Sequence, residues 1–150
     1  MILGIALIGI LFLTTCKTEN TPTVSSGSWT FKSMTYSDTK GIPGTWHGAL
    51  VSVLAQSSKT FYPSLTVSDS STIAFTSGTY PVGGAIGSLN IEVVDSSGVA
   101  YIPMLNDTGT ISVTAVDSKV SLSSAGIRMV NFGLNPVDTS ILTFNITQTY

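Results

Sequence analysis

Charged side chains are scarce in this sequence. Only 9% of its 150 residues are Asp, Glu, Lys or Arg, and the 6 cations stand singly in a chain of formal net charge -2. A protein that binds nucleic acid needs a basic stripe or patch that neutralises phosphates. We therefore expect no DNA or RNA partner. The low charge does not predict disorder, because 43% of the residues are hydrophobic and can bury enough surface to offset the entropy of the chain.

Side chains that carry catalysis or bind metals are scarce as well. The chain has 1 Cys, 1 His and 8 acidic residues, and it contains no P-loop, GxGxxG, HExxH or GxSxG motif. The single histidine, His47, has no acid or nucleophile beside it, so an ordinary loop residue is the favoured interpretation. We predict no metal, no cofactor and no enzymatic activity. A hydrolase that uses His47 and an acid from a turn is the enzymatic alternative.

An apolar segment opens the sequence and ends close to the only cysteine. Residues 1–13 carry no charged side chain, but they are fewer than the roughly 20 residues that a helix needs to cross a bilayer. Such a segment is typical of a secretory signal. Leu13-Thr14-Thr15-Cys16 resembles the lipobox of bacterial lipoproteins. The resemblance implies that Cys16 is lipidated and becomes the first residue of the mature protein; a plain signal peptide is the alternative.

The composition divides the chain into three segments. We expect a lipoprotein signal peptide over residues 1–16, a flexible tether over 17–28 and one folded domain over 29–150. Residues 17–28 contain a single apolar residue, Val24, among polar, Pro and Gly positions, which is the composition of a linker. About twelve flexible residues span roughly 20 Å, which holds a domain near a membrane without fixing its orientation.

The predicted domain is all-β. Apolar and polar residues alternate with period two over residues 88–93, 110–115 and 142–147, as in half-buried strands. Turn signals rich in Asp, Asn and Gly, at 95–98 and 106–109 among others, separate the predicted strands; calcium ligation by their oxygens is the alternative. We predict an antiparallel β-sandwich of roughly 8 to 10 strands. The strands that contain Pro63 and Pro103 are predicted to be edges or bulged, because proline cannot donate to a ladder.

Aromatic residues are the best candidates for ligand contact. Sandwich domains that bind sugars stack exposed aromatic faces on the rings, with polar groups beside them. Trp46 lies between glycines in the segment 44–48, next to His47, and Tyr62 precedes Pro63. We expect Trp46, His47 and Tyr62 to form a ligand-binding surface, although aromatic residues at strand ends more often belong to the core.

Several short motifs resemble those of small Bacteroidota lipoproteins that carry an all-β domain of unknown function. These motifs are Cys-Lys-Thr-Glu-Asn at 16–20, a Trp-Thr-Phe-Lys strand at 29–32, a Gly-Thr-Tyr turn at 78–80 and a Thr-Gly-Thr-Ile-Ser-Val-Thr strand at 108–114. The resemblance implies an anchor in a Gram-negative envelope, at the outer membrane or cell surface. Gly-Ser-Trp at 27–29 also resembles the Gly-x-Trp opening of lipocalin-like barrels, which makes a barrel the alternative fold.

The expected function is binding rather than catalysis. We predict a lipid-anchored envelope or cell-surface domain that binds a glycan or another polymer. One alternative is a surface structural, adhesion or assembly component that pairs with an envelope protein through an edge strand. The other is a barrel that binds a small apolar ligand.

Overall fold

A computed structural model describes residues 24–37, 39–46, 49–57, 63–69, 74–134 and 137–149. These residues form strands and turns and no helix, so none of them provides a helix that could cross a membrane. The prediction of an all-β antiparallel fold is confirmed. The strands are β1 (Val24–Phe31), β2 (Met34–Tyr36), β3 (Thr39–Trp46), β4 (Ala49–Ser57), β5 (Ser64–Asp69), β6 (Gly78–Pro81), β7 (Leu89–Val94), β8 (Ala100–Pro103), β9 (Thr110–Val116), β10 (Lys119–Asn131) and β11 (Asp138–Thr149).

The strands form one strongly curled antiparallel sheet, a half-barrel. Nine of them follow one another in the order β2-β1-β11-β10-β8-β7-β5-β4-β3. The curl brings β1 near β3, at the far end of this path. The two remaining strands form a side branch, in which β9 pairs with β10 and β6 pairs with β9.

The side branch begins because β10 changes its partner half-way along. Residues 119–123 pair with β9, whereas Met129 and Val130 pair with β8. Between the two halves the register of β10 against β11 shifts between Ser124 and Ile127, as at a β-bulge, which bends a strand and increases its twist. The sheet therefore forks at this bulge, with β9 and β6 on one arm and β8 and β7 on the other.

The alternation in the sequence correctly predicts which side chains enter the core. In β7, Leu89, Ile91 and Val93 are buried, whereas Asn90 and Glu92 are exposed. The same alternation holds in β9 and through most of β11. Each large apolar side chain moved from water into this core stabilises the fold by about 1.5–3 kcal/mol. The largest fully buried apolar side chains are those of Trp29, Tyr101, Phe31, Leu65, Leu89, Ile111, Leu122, Ile127, Met129 and Leu142.

Two expectations about strand boundaries and edges differ from the structure. β1 begins at Val24, inside the predicted tether, because its pairing with β11 extends to Gln148. The strands at Pro63 and Pro103 were predicted to be edges or bulged, and the edge alternative was wrong: β5, which begins after Pro63, lies between β4 and β7, and β8, which ends at Pro103, lies between β7 and β10. Among the described strands, β2, β3 and β6 are the outermost ones.

Candidate functional site

Most of the site residues predicted from the sequence lie outside the described residues. This applies to Cys16, His47 and Tyr62. Trp46 is described in its backbone alone: it is the last residue of β3 and pairs with Ala49 of β4. The predicted aromatic surface therefore stays a prediction, and the candidate site rests on other residues.

A groove opens on the outer surface at the fork of the sheet. Its main hollow has a volume of about 390 Å³ and lies between β7, β8 and the loops that follow β6 and β8. Two smaller hollows of about 310 and 220 Å³ share lining residues with its two ends. We call the three together the fork groove. The residues that line the main hollow include Gly83, Gly84, Asn90, Ile91, Ile102, Pro103 and Asp107.

The main hollow exists because β8 separates from β7. Val93 pairs with Tyr101, and the same register would place Pro103 opposite Ile91. Pro103 has no N–H to donate to β7, although on the other side of β8 it lies opposite Met129 of β10. The β7–β8 ladder therefore stops after Tyr101, and the two strands diverge around the hollow.

Main-chain polar groups of β7 face this gap. The N–H of Asp95 donates to the Val99 carbonyl at 2.9 Å, and the Leu89 carbonyl accepts from the N–H of Gly83 at 3.0 Å. In an antiparallel sheet successive residues direct their polar groups to opposite sides, so the alternate residues of β7 from Leu89 to Asp95 face away from β5. The carbonyl of Ile91 thus faces the gap, where Pro103 offers it no donor.

The loop that follows β8 forms one wall of the groove and is held by Asp107. Its carboxylate accepts hydrogen bonds from the N–H groups of Gly109, at 2.9 Å, and Arg128. The N–H of Met104 donates to the Arg128 carbonyl at 2.8 Å. A side chain at Gly109 would meet Ile127 at 3.0 Å, so the loop closes tightly on β10. The turn predicted at 106–109 is confirmed, and its acid bonds the backbone.

Opposite charges stand at the two ends of the fork groove. Glu92 lines the hollow beside β5 and is exposed. Arg128 lines the hollow beside the loop and is also exposed, with the Met104 sulfur 3.9 Å from its guanidinium. The Asp107 carboxylate lines the same hollow, but it already accepts two backbone N–H groups. Among the described residues, neither Glu92 nor Arg128 forms a salt bridge. The groove can therefore hold a ligand that carries a cation at one end and an anion at the other.

A second cluster of charged groups lies around Lys32. Its ammonium contacts Asp138 at 2.7 Å, Asp95 at 3.2 Å and the hydroxyl of Tyr101. The Tyr101 hydroxyl donates to the same Asp138 carboxylate at 2.7 Å, and the ammonium lies 4.4 Å from the Tyr101 ring centre. We call these four residues the Lys32 clamp. It joins the turn after β1 to β8, β11 and the end of β7.

The electrostatics of the Lys32 clamp favour its charged state. Burial alone would lower the pKa of Lys32, but hydrogen bonds to Asp138, Tyr101 and Asp95 outweigh it and raise that pKa. The hydrogen bond from Lys32 lowers the pKa of Asp138. Burial opposes the ionisation of Asp95, yet backbone N–H groups and Lys32 lower its pKa. Lys32 is therefore held charged and Asp95 and Asp138 ionised, and their ion pairs join the strands that the clamp connects.

The turn that carries Lys32 is strained, and the sequence gives no sign of it. Lys32 and Ser33 connect β1 to β2 as a two-residue hairpin loop with φ of 50° and 61°, a conformation that usually takes Asn-Gly. In this strained turn the Lys32 side chain lies over the ring of Tyr101. Sequence reasoning missed the clamp because its members are 106 residues apart at the extremes.

The acidic residues of the predicted turns accept hydrogen bonds from nearby main-chain N–H groups. Asp95 Oδ1 accepts from the N–H groups of Ser97, at 2.8 Å, and Val99, at 3.1 Å, so the predicted turn at 95–98 is confirmed. Within the described ranges no group of three His, Cys, Asp or Glu side chains could hold a metal ion. Comparisons with protein-family models, curated proteins and solved structures find no match for the chain. The fork groove is therefore the feature of the described residues that points to a function.

Replacing Lys32 or Ser33 with glycine distinguishes the free-energy cost of the strained turn from the stability that the Lys32 clamp contributes. Ser33→Gly relieves a positive φ, and we expect it to raise the free energy of unfolding by about 0.5 kcal/mol. Lys32→Gly relieves the same strain but removes the clamp's cation, so we expect a loss of about 1–2 kcal/mol relative to Ser33→Gly. Urea unfolding measures both. A Lys32→Gly protein as stable as Ser33→Gly would show that the clamp contributes nothing.

The clamp also predicts a loss of stability in acid. The pKa values of Asp95 and Asp138 are lowered in the folded state. Their contribution is therefore complete above the unfolded pKa of about 3.9 and disappears as the pH falls through the lowered values. We expect Asp138→Asn to lose less stability than wild type between pH 6 and pH 2.5 in urea unfolding. Asp117→Asn, at an exposed turn away from the clamp, serves as the control and should follow wild type.

Proposed function

We propose that the protein is a lipid-anchored domain of the bacterial outer membrane or cell surface that binds a glycan or another extended polymer without catalysis. We further propose that the fork groove is its binding surface. The observation that carries the proposal is the groove: a concave surface with aliphatic walls, amide side chains, a main-chain carbonyl at Ile91 to which Pro103 cannot donate, Glu92 at one end and Arg128 beside Asp107 at the other. Binding sites combine apolar walls with a few placed polar groups in this way.

The remaining chemistry of the described residues supports binding over catalysis. The carboxylates of Asp95 and Asp138 are engaged with Lys32, and that of Asp107 with two backbone N–H groups. A general base must reach a proton of the substrate with a free lone pair. Asp95 and Asp138, whose pKa values are lowered, instead form ion pairs that stabilise the fold.

The fold gives less support to the two alternatives. A barrel for a small apolar ligand needs interior space, whereas Trp29, Phe31 and Tyr101 pack inside the half-barrel and are almost completely buried. Assembly through an edge strand needs a free row of N–H groups. Two of the outermost strands, β3 and β6, contain Pro43 and Pro81, which interrupt that row.

The position of the groove suits an anchor at the amino terminus. β1 starts at Val24 beside Gln148 and ends at the turn with Lys32, so it covers roughly 26 Å at 3.3 Å per residue. Arg128, at one end of the groove, pairs with Ile141, in the half of β11 that is remote from Gln148. A lipid on Cys16 would then be attached on the side of Val24, at the end of β1 remote from Arg128, which leaves the groove accessible to a polymer.

The anchor is tested by expressing the full chain in a bacterium that processes lipoproteins, beside Cys16→Ala. We expect the wild type to gain the mass of a diacylglyceryl group and to sediment with membranes, and the variant to do neither. Intact-mass spectrometry and membrane fractionation provide the measurement. An unmodified wild type would contradict the proposed anchor and leave a freely exported or unprocessed chain.

The proposed binding site is tested by placing a large side chain in the main hollow of the groove. A Cβ on Gly84 would meet only the Asn90 side-chain oxygen, at 3.9 Å, so Gly84→Trp fits the backbone and places its ring against the hollow. We expect it to weaken polymer binding by at least tenfold, as measured with a glycan array and a displayed peptide library followed by titration. Ser118→Trp, in the exposed turn between β9 and β10, is the matched control and should bind normally. Equal binding by both variants would contradict the proposed site.

A further inference from the structure

We propose that the polymer bound by the fork groove is an extended polypeptide segment, which pairs through its main chain with β7 at Ile91. This inference rests on the proposed function of the groove. It deepens that proposal by naming the class of ligand and the group that receives it.

The hydrogen bonding along one side of β7 is interrupted. Leu89 is satisfied there by Gly83, and Val93 pairs with Tyr101 of β8. Between these two positions the carbonyl of Ile91 faces the gap without a donor from Pro103. A peptide laid in the groove can donate one N–H to this carbonyl, and main-chain bonds of this kind supply affinity when a strand is added to a sheet.

The walls of the hollow can admit another main chain. Gly83 and Gly84 form the wall contributed by the loop after β6, and residues without side chains allow a close backbone approach. On the other side, Pro103 brings no N–H that would compete for the carbonyl of Ile91. The hollow is therefore open to a backbone at the position where the ladder is incomplete.

The side chains of such a segment would meet both aliphatic and charged groups in the groove. Residues of an extended segment alternate between two faces, and Ile102 and Met104 offer exposed aliphatic contacts in the groove. Glu92 at one end fits a Lys or Arg of the segment. At the other end the Asp107 carboxylate is bonded to two backbone N–H groups, so the Arg128 guanidinium is the group that fits an Asp, a Glu or a terminal carboxylate. The groove thus selects a peptide with a cation and an anion in a fixed order.

A glycan fits these groups less well. Sugar rings are usually held by stacking on aromatic faces, and none of the described residues that line the three hollows is aromatic. Sugar hydroxyls carry no charge to match Glu92 and Arg128. Main-chain pairing and charge order therefore both favour a polypeptide.

The test uses the purified full-length protein in detergent, with a phage library of random ten-residue peptides and a glycan array as probes. We expect selected peptides to carry a basic and an acidic residue in one preferred order. Methylating the peptide N–H that reaches Ile91 should weaken binding at least tenfold, because methylation removes the donor. A binding peptide that tolerates methylation at every position would overturn the pairing.

The charge order is tested by exchange. In Glu92→Arg/Arg128→Glu the two ends of the groove swap charge without altering the net charge, and we expect the library to select the opposite order. Asp117→Lys/Lys119→Glu makes the same exchange at the β9–β10 turn and should leave the selection unchanged. An identical selection by all three proteins would refute the assignment of the two ends.

The remaining outcomes separate this inference from the proposed function. Peptide binding that Gly84→Trp abolishes and Ser118→Trp preserves supports both. Glycan binding alone, abolished by Gly84→Trp, keeps the groove as the binding surface and overturns the polypeptide. Peptide binding that Gly84→Trp leaves intact overturns both, as does the absence of binding to either probe.

Discussion

The two halves of the sheet are held together by the main-chain hydrogen bonds of β8. This four-residue strand pairs with β10 on one side and with β7 on the other, by two residue pairs each. Without it, the bridge between Val82 and Leu89 would be the only β pairing among the described residues that joins β7, β5, β4 and β3 to the rest of the sheet. Tyr101 occupies the centre of this connection, with its ring in the core and its hydroxyl in the Lys32 clamp. The half-barrel therefore depends on a short strand that is secured by a buried aromatic ring and an ion-pair network.

The same short strand creates the fork groove. β8 ends at Pro103, which cannot continue the ladder with β7, and the bulge in β10 moves the pairing toward β9 on the other side. The loop held by Asp107 then forms one wall of the resulting gap. Stability and the proposed site thus arise from one arrangement: the connection is strong at Tyr101 and incomplete two residues later.

Local rules explain why some expectations succeeded. Leu89, Ile91 and Val93 had to face the core because a shift of one residue would expose all three. The turns at 95–98 and 106–109 formed because Asp side chains bond nearby N–H groups. The groove escaped prediction because its members come from separate strands: Gly84, Ile91 and Pro103 show nothing in common in the sequence. The Lys32 clamp escaped for the same reason, since Lys32 and Asp138 meet only when β1 and β11 pair.

The sequence by itself determined the all-β class, the facing of the strands and the chemistry of the turns, because each depends on residues within a few positions of one another. It also determined how little catalytic chemistry the chain contains. Only the tertiary structure decided which strands are neighbours, where the sheet forks and which proline lies at a gap. Strand order depends on contacts between residues that are distant along the chain, and the period-two pattern is the same whichever strand becomes the neighbour.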